Sequence, residues 1–178
     1  MSYNLIVPIK STGPLCGLSN HSMAYPFIIN GCKYLSVLQA YYVWLSGDNH
    51  MLKKVLLSCS SGFEVLEAAI PIKRNYLSVL SKRCNYFDLR RVLYMIMRAK
   101  FEQNPNAKTV LLATRSDWYL SIAGDEVIGI GAGHGLNISG LIMMELREHL
   151  AGRPRTPLLQ RDFDAVKRRW SRTVTINL

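Results

Sequence analysis

Apolar and polar positions alternate along this chain in short blocks, and the blocks change period several times. "YPFIINGCKY" (25–34) reads as strand, turn, strand, because Asn30 and Gly31 both tolerate positive φ at a tight hairpin turn. "SVLQAYYVWLS" (36–46) is apolar nearly all round and begins with Ser36, a good helix cap, so it predicts a buried helix. Shorter helical pieces are expected at 50–58 and 62–69, punctuated by Gly62 and Pro71. The clearest helix is "FDLRRVLYMIMRAKFEQ" (87–103), where Leu89, Leu93, Ile96 and Lys100 share one row and Asp88 suits the positive end of the helix dipole. Asn104-Pro105 ends it and can start the next, with Asn104 as cap.

"WYLSI" (118–122) reads as a strand, and "GIGAGHGLN" (129–137) follows it as a glycine-rich loop. "SGLIMMELREHLA" (139–151) is then a helix with Ser139 as its expected cap. Ile142, Leu146 and Leu150 lie on its apolar row, and Glu145, Arg147 and Glu148 are expected to face solvent. Gly152 and Pro154 stop it. Residues 153–178 read as a basic, proline-broken tail with a short helix at 162–171, so the chain divides into a domain over 1–152 and a tail.

A length of 178 residues fits one compact domain, and a hydrophobic share of 49% supplies a core and argues against disorder. The net charge of +10 changes the picture, because it favours an anionic partner: nucleic acid, a nucleotide or an acidic protein surface. Half of that charge lies beyond Ala151, where Arg153, Arg155, Arg161, Lys167, Arg168, Arg169 and Arg172 outnumber Asp162 and Asp164. "KRRWSR" (167–172) sets Trp170 among cations, as phosphate-and-base contacts and partner anchors both do. Cys16, Cys32, Cys59 and Cys84 form no CxxC pair and the four histidines no ligand spacing, so neither a metal nor a cofactor is implied. With no signal-like N-terminus and no long apolar run, the expectation is a cytoplasmic protein with reduced thiols and no membrane partner, in a cellular or virion-associated setting.

The candidate chemistry centres on the loop. Backbone amides at Gly129, Gly131, Gly133, Gly135 and Asn137, followed by a helix N-terminus, can make an anion site without a charged side chain. The spacing is neither the dinucleotide fingerprint nor a Walker loop, and a plain connector has the same look. Asp125 precedes the loop, His134 sits within it, and Lys100, on an apolar row, is expected to reach an anion or a carboxylate or to snorkel.

"MRAKFEQNPNAKTVLLAT" (97–114), Asp125 before Gly129-Ile130-Gly131, and "GLNISGLIMMELREHL" (135–150) together resemble the signature of the NADAR, or YbiA-like, family. "GLSN" (17–20) and "INGCKYLSVLQAYYVW" (29–44) resemble its N-terminal motifs more loosely, so the likeness spans about residues 17–151. The resemblance implies a compact, mainly helical α+β domain with short strands. It also implies action on N-glycosidic bonds of ADP-ribose-type molecules, such as ADP-ribosylated guanine or riboflavin-pathway intermediates. Lys100, Phe101, Asp125, Gly129, Gly131, Asn137, Gly140 and Arg147 match the family pattern.

Other family positions are replaced. The glutamate falls at Leu38 and the neighbouring histidine at Gln39. The lysine at that helix end falls near Leu45, and a tryptophan falls among Asn85, Tyr86 and Phe87. A valine-glutamate pair falls at Leu120-Ser121 and the loop tryptophan at Ile128. Leucine cannot move a proton or attack a sugar, so the leading expectation is a catalytically degenerate domain that docks nucleic acid or an assembly partner through its basic face and tail. Two alternatives stand beside it. One is an active N-glycosidase with Asp125 as carboxylate, Lys100 as cation or nucleophile and His134 as proton carrier. The other is a non-catalytic sensor of ADP-ribose.

Overall fold

The computed structural model describes residues 3–7, 13–74, 78–80, 85–125, 127–131 and 133–175, without the side chains of 3–4 and 171–175. Strand β1 (Tyr3–Val7) runs parallel to β4 (Trp118–Ile122), with Tyr3 opposite Trp118 and Val7 opposite Ile122. Strands β2 (Phe27–Ile29) and β3 (Cys32–Tyr34) form the expected hairpin. Asn30 and Gly31 have φ of 50° and 76° at its turn, as a mirror-image turn requires. Helix α1 (Val37–Leu45) is capped by Ser36, whose hydroxyl accepts from the Gln39 amide at 3.1 Å. It is buried on nearly every side and packs on α2 (His50–Ser58), α3 (Gly62–Ala68) and α5 (Tyr86–Gln103). The short α4 (Ile70–Lys73) follows α3 directly.

Asn85 opens α5 with a reciprocal capping box. Its side chain accepts from the Phe87 and Asp88 amides, and Asp88 accepts from the Asn85 amide. Helix α6 (Pro105–Ala113) starts after Asn104, but Asn104 does not cap it with its side chain. The Asn104 amide group instead donates to the Lys100 and Pro26 carbonyls, closing the end of α5 and tying it to β2.

Helix α7 (Ile138–Leu150) departs furthest from the sequence pattern. Its first eleven residues are all buried, because β4, α5, α6 and the C-terminal helix α8 (Pro157–Thr175) surround it. Glu145, Arg147 and Glu148 therefore do not face solvent. Arg147 turns inward and donates to the carbonyls of Arg115, Ser116 and Trp118, to Thr114 Oγ1 and to Glu148. Glu148 also holds Arg153 at 2.6 Å, and Glu145 holds Arg90 at 2.9 Å and Arg155.

Nor does Ser139 cap α7. The cap position belongs to Asn137 at φ 53°, and its amide does something else. Oδ1 accepts from the Ile122 amide at 3.0 Å and Nδ2 donates to the Leu120 carbonyl at 2.9 Å, so one side chain pairs with β4 as a neighbouring strand would. The C-terminal helix is longer than the expected 162–171. Leu159, Phe163, Val166 and Trp170 form its buried stripe, which lies over α7 and the start of α5.

Candidate functional site

A cleft of about 230 Å³ opens beside Asp125, walled by Leu38 and Tyr42 of α1, Ile128 and Gly129 of the glycine loop, and Leu66 of α3. Its polar groups are Asn20, His21, Lys73 and Asp125. That volume is below the ~300–1,000 Å³ of pockets that enclose drug-sized ligands, so it has room for one ring system rather than a whole dinucleotide.

Each polar group is set by its element. Asp125 Oδ1 accepts from the amides of Val127 at 2.7 Å and Ile128 at 2.9 Å, so part of the carboxylate is spent folding the turn that brings Ile128 to the wall. Asn20 is tied to α7 by a bond from Nδ2 to Ser139 Oγ, and its carbonyl accepts from the Leu38 amide. Its Oδ1 is buried without a partner, as is Ser22 Oγ. Burial, reinforced by the positive charge of Lys73, pushes the His21 imidazole below its ordinary value and keeps it neutral near pH 7. Burial and the negative charge of Asp125 push the Tyr42 phenol up.

Lys100 is fully buried behind this wall, where its ammonium reaches neither an anion nor a carboxylate. Nζ donates to the Ser19 carbonyl at 2.8 Å, close to the Tyr25 and Phe101 rings, and burial lowers its pKa to about 7. Buried there, it ties α5 to the segment that carries Asn20 and His21 and does not line the cleft. His134 is exposed on the far part of the loop, where its carbonyl accepts from Arg169. The three residues named for catalysis thus occupy three separate places.

The glycines of the loop have conformational and steric work. A Cβ on Gly129 would stand 2.6 Å from the Ile122 carbonyl oxygen, and Gly131 and Gly133 have φ of 51° and 101°. The amides of Gly129, Gly133, Gly135 and Asn137 already donate to carbonyls of Asp125, Ile130, Ile130 and Gly129. Four of the five amides named for anion binding are therefore turned into the chain.

Of the positions that the family resemblance reads as replaced, Leu38 and Ile128 converge on the cleft. Leu45 is buried outside it. Ser121 lines a separate cavity of about 440 Å³ that α8 closes with Asp162, Val166 and Arg169. Tyr86 is buried under α8, donating to the Phe163 carbonyl, and burial pushes its phenol up to about 12.

The basic residues divide in the same way. Arg153 and Arg155 are paired with Glu148 and Glu145, Arg169 donates to the His134 and Gly135 carbonyls, and Trp170 is buried against Tyr86. Arg161, Lys167 and Arg168 stand on exposed positions of α8. The Arg172 side chain lies outside the described residues.

No family model and no curated protein matches the chain. The solved NMR structure of the E. coli protein YbiA does match. The alignment has 24% identity and a TM-score of 0.61, and covers 85% of this chain and 88% of that one. The fold is YbiA-like. The expected mainly helical α+β architecture with short strands is what this chain adopts. Among its described residues no helix is long and apolar enough to cross a membrane.

Sequence reasoning missed His21, Lys73 and Asn20 as neighbours of Asp125. His21 directly follows "LSN", the first family-like motif, and that adjacency was the available signal.

Proposed function

We propose that this chain is a catalytically degenerate NADAR-type domain that works as a binding module, and that it docks nucleic acid through the exposed basic face of α8. The observation that carries the reading is the cleft wall itself. Leu38 and Ile128 line it at the positions where the family resemblance expects a glutamate and a tryptophan. Neither can relay a proton or stabilise an electron-poor ribose carbon, and the lysine that matches the family pattern is sealed from the cleft. Arg161, Lys167 and Arg168 stand on exposed positions of α8, and a polyanion gains affinity by neutralising such cations and releasing counterions.

The test has two halves. Incubation with ADP-ribosylated guanosine is expected to release no ADP-ribose, and turnover abolished by Asp125→Asn would overturn the degenerate reading. Binding to a labelled oligonucleotide is expected to weaken steeply with salt and with Arg161→Glu/Arg168→Glu. Salt-independent binding would remove the electrostatic argument.

The cleft favours a second reading. Asp125 keeps company with His21, Lys73 and the unpartnered Asn20 Oδ1, so a small polar ligand such as the sugar end of ADP-ribose has groups to meet. Calorimetric titration with ADP-ribose separates the two. Saturable binding lost in Asp125→Asn supports a sensor or a residual N-glycosidase, and no heat at millimolar ligand leaves the binding module alone.

A further inference from the structure

The start of α5 carries an exposed aromatic ring where a helix that packs on two sides would bury one. Tyr86 turns inward beneath α8, and Phe87, its neighbour, is left 55% exposed. Positions 87, 91 and 94 are one and two turns apart, so Phe87, Arg91 and Tyr94 share a face. That face borders a hollow of about 220 Å³ lined by Phe87, Arg90, Arg91, Tyr94 and Glu145.

Cations frame the ring from two elements. Lys167 of α8 lies over one face of the Phe87 ring, with Nζ 4.6 Å from the centroid, and Arg91 has a side chain 74% exposed. The carboxylates nearby include the exposed Asp164 of α8, one turn before Lys167, which accepts from Gln160. Glu145 is held by Arg90 and Arg155, and Asp88 serves the helix cap and lies 3.8 Å from Arg91, an exposed pair that a phosphate displaces at little cost. Arg90 itself stacks 3.8 Å from the Phe163 ring and fixes the floor of the hollow.

We propose that the face of Phe87 turned away from Lys167 is a stacking platform for an unpaired base of single-stranded nucleic acid, with the adjoining phosphates held by Arg91 and Lys167. This rests on the nucleic-acid reading above and specifies its form. Single strands are gripped by cations that follow the backbone and by aromatic faces on which bases stack. A duplex offers its phosphates but keeps its base faces stacked inside. A one-ring hollow beside a pair of cations therefore discriminates between the two forms. Arg161 and Arg168 on the outer row of α8, with the exposed Asp164 between them, serve either form equally.

The experiment is fluorescence anisotropy with a labelled oligothymidylate of ~15 nucleotides and a duplex of equal length, at about 50 mM salt, with circular dichroism confirming that each variant is folded. The single strand is expected to bind about tenfold tighter or more. Phe87→Ala should weaken it by about tenfold, Phe87→Trp should restore it, and both should leave the duplex unchanged. Arg161→Glu/Arg168→Glu should weaken both forms. Equal affinity for the two forms with Phe87→Ala silent overturns the platform while leaving the nucleic-acid reading in place. Competition by heparin as complete for wild type as for Phe87→Ala would do the same, showing a surface that reads charge alone. Failure of both nucleic acids to bind overturns both readings.

Discussion

Lys100 illustrates how far a single side chain can stray from its apparent role. The sequence places it on an apolar row and inside a family-like motif. The structure makes it an internal strut on the Ser19 carbonyl, with a pKa near 7 because burial disfavours the charged form. Below about pH 7 both folded and unfolded chains carry that proton, and the burial cost is fully present. Between there and the ordinary value of 10.5 the unfolded chain binds the proton and the folded chain does not, so stability climbs with pH across that window. Urea unfolding at about pH 7 and about pH 9.5 should give a wild-type midpoint that rises relative to Lys100→Met. Parallel midpoints would mean that the lysine keeps its proton in the folded chain throughout, as a solvated ammonium would. The row position of Lys100 was legible in the sequence. Its partner was not, because Ser19 lies 81 residues away and no local pattern encodes a carbonyl.

Elements whose neighbours are close in sequence were legible; elements defined by distant partners were not. The β2–β3 hairpin, the capped α1 and the long α5 follow from Asn30-Gly31, Ser36 and the row through Leu89, Leu93 and Ile96. Helix α7 reads as amphipathic until α8 covers its charged side, and then Glu145 and Glu148 become the sockets for Arg155 and Arg153. The same cover makes α8 part of the packed structure. Replacing Glu145 with Gln leaves Arg90 and Arg155 facing one another over the Phe163 ring without their shared carboxylate. An uncompensated buried cation pair typically costs about 3–5 kcal/mol, less here because both arginines keep partial access to water. In Glu145→Gln, amide hydrogen exchange should accelerate in α8 while α1 keeps its protection. Uniform acceleration would show that α8 and the rest open as one unit.

At the scale of the molecule, +10 is spread over a chain that has already matched its buried carboxylates with arginines. The surplus lies outside, where like charges repel and salt screens them, while the half-buried pairs are screened less. Moderate salt is therefore expected to raise the Tm, by a few degrees at most. A fall on adding salt would mean that the Glu145 and Glu148 ladders contribute more than the surface repulsion removes. The cleft follows the same division of local and distant information. The family resemblance singles out Leu38, Leu45, Ser121 and Ile128 alike, yet only folding shows that Leu38 and Ile128 meet at Asp125 while Leu45 and Ser121 do not.

The side-chain pairing of Asn137 with β4 has a consequence for the company the protein keeps. Along the outer edge of that strand the Leu120 amide meets Met144 Sδ, the Leu120 carbonyl and Ile122 amide meet Asn137, and the Ile122 carbonyl meets the Ile130 amide. A bare strand edge is a template for any other extended chain, and proteins suppress it with bulges, charges or a covering element. Here one amide group and a sulfur atom close it from within. On that side β4 can thus sit at the margin of a helical body without recruiting a strand from another molecule, and the guard on its edge is a residue that the sequence presents as part of a ligand loop.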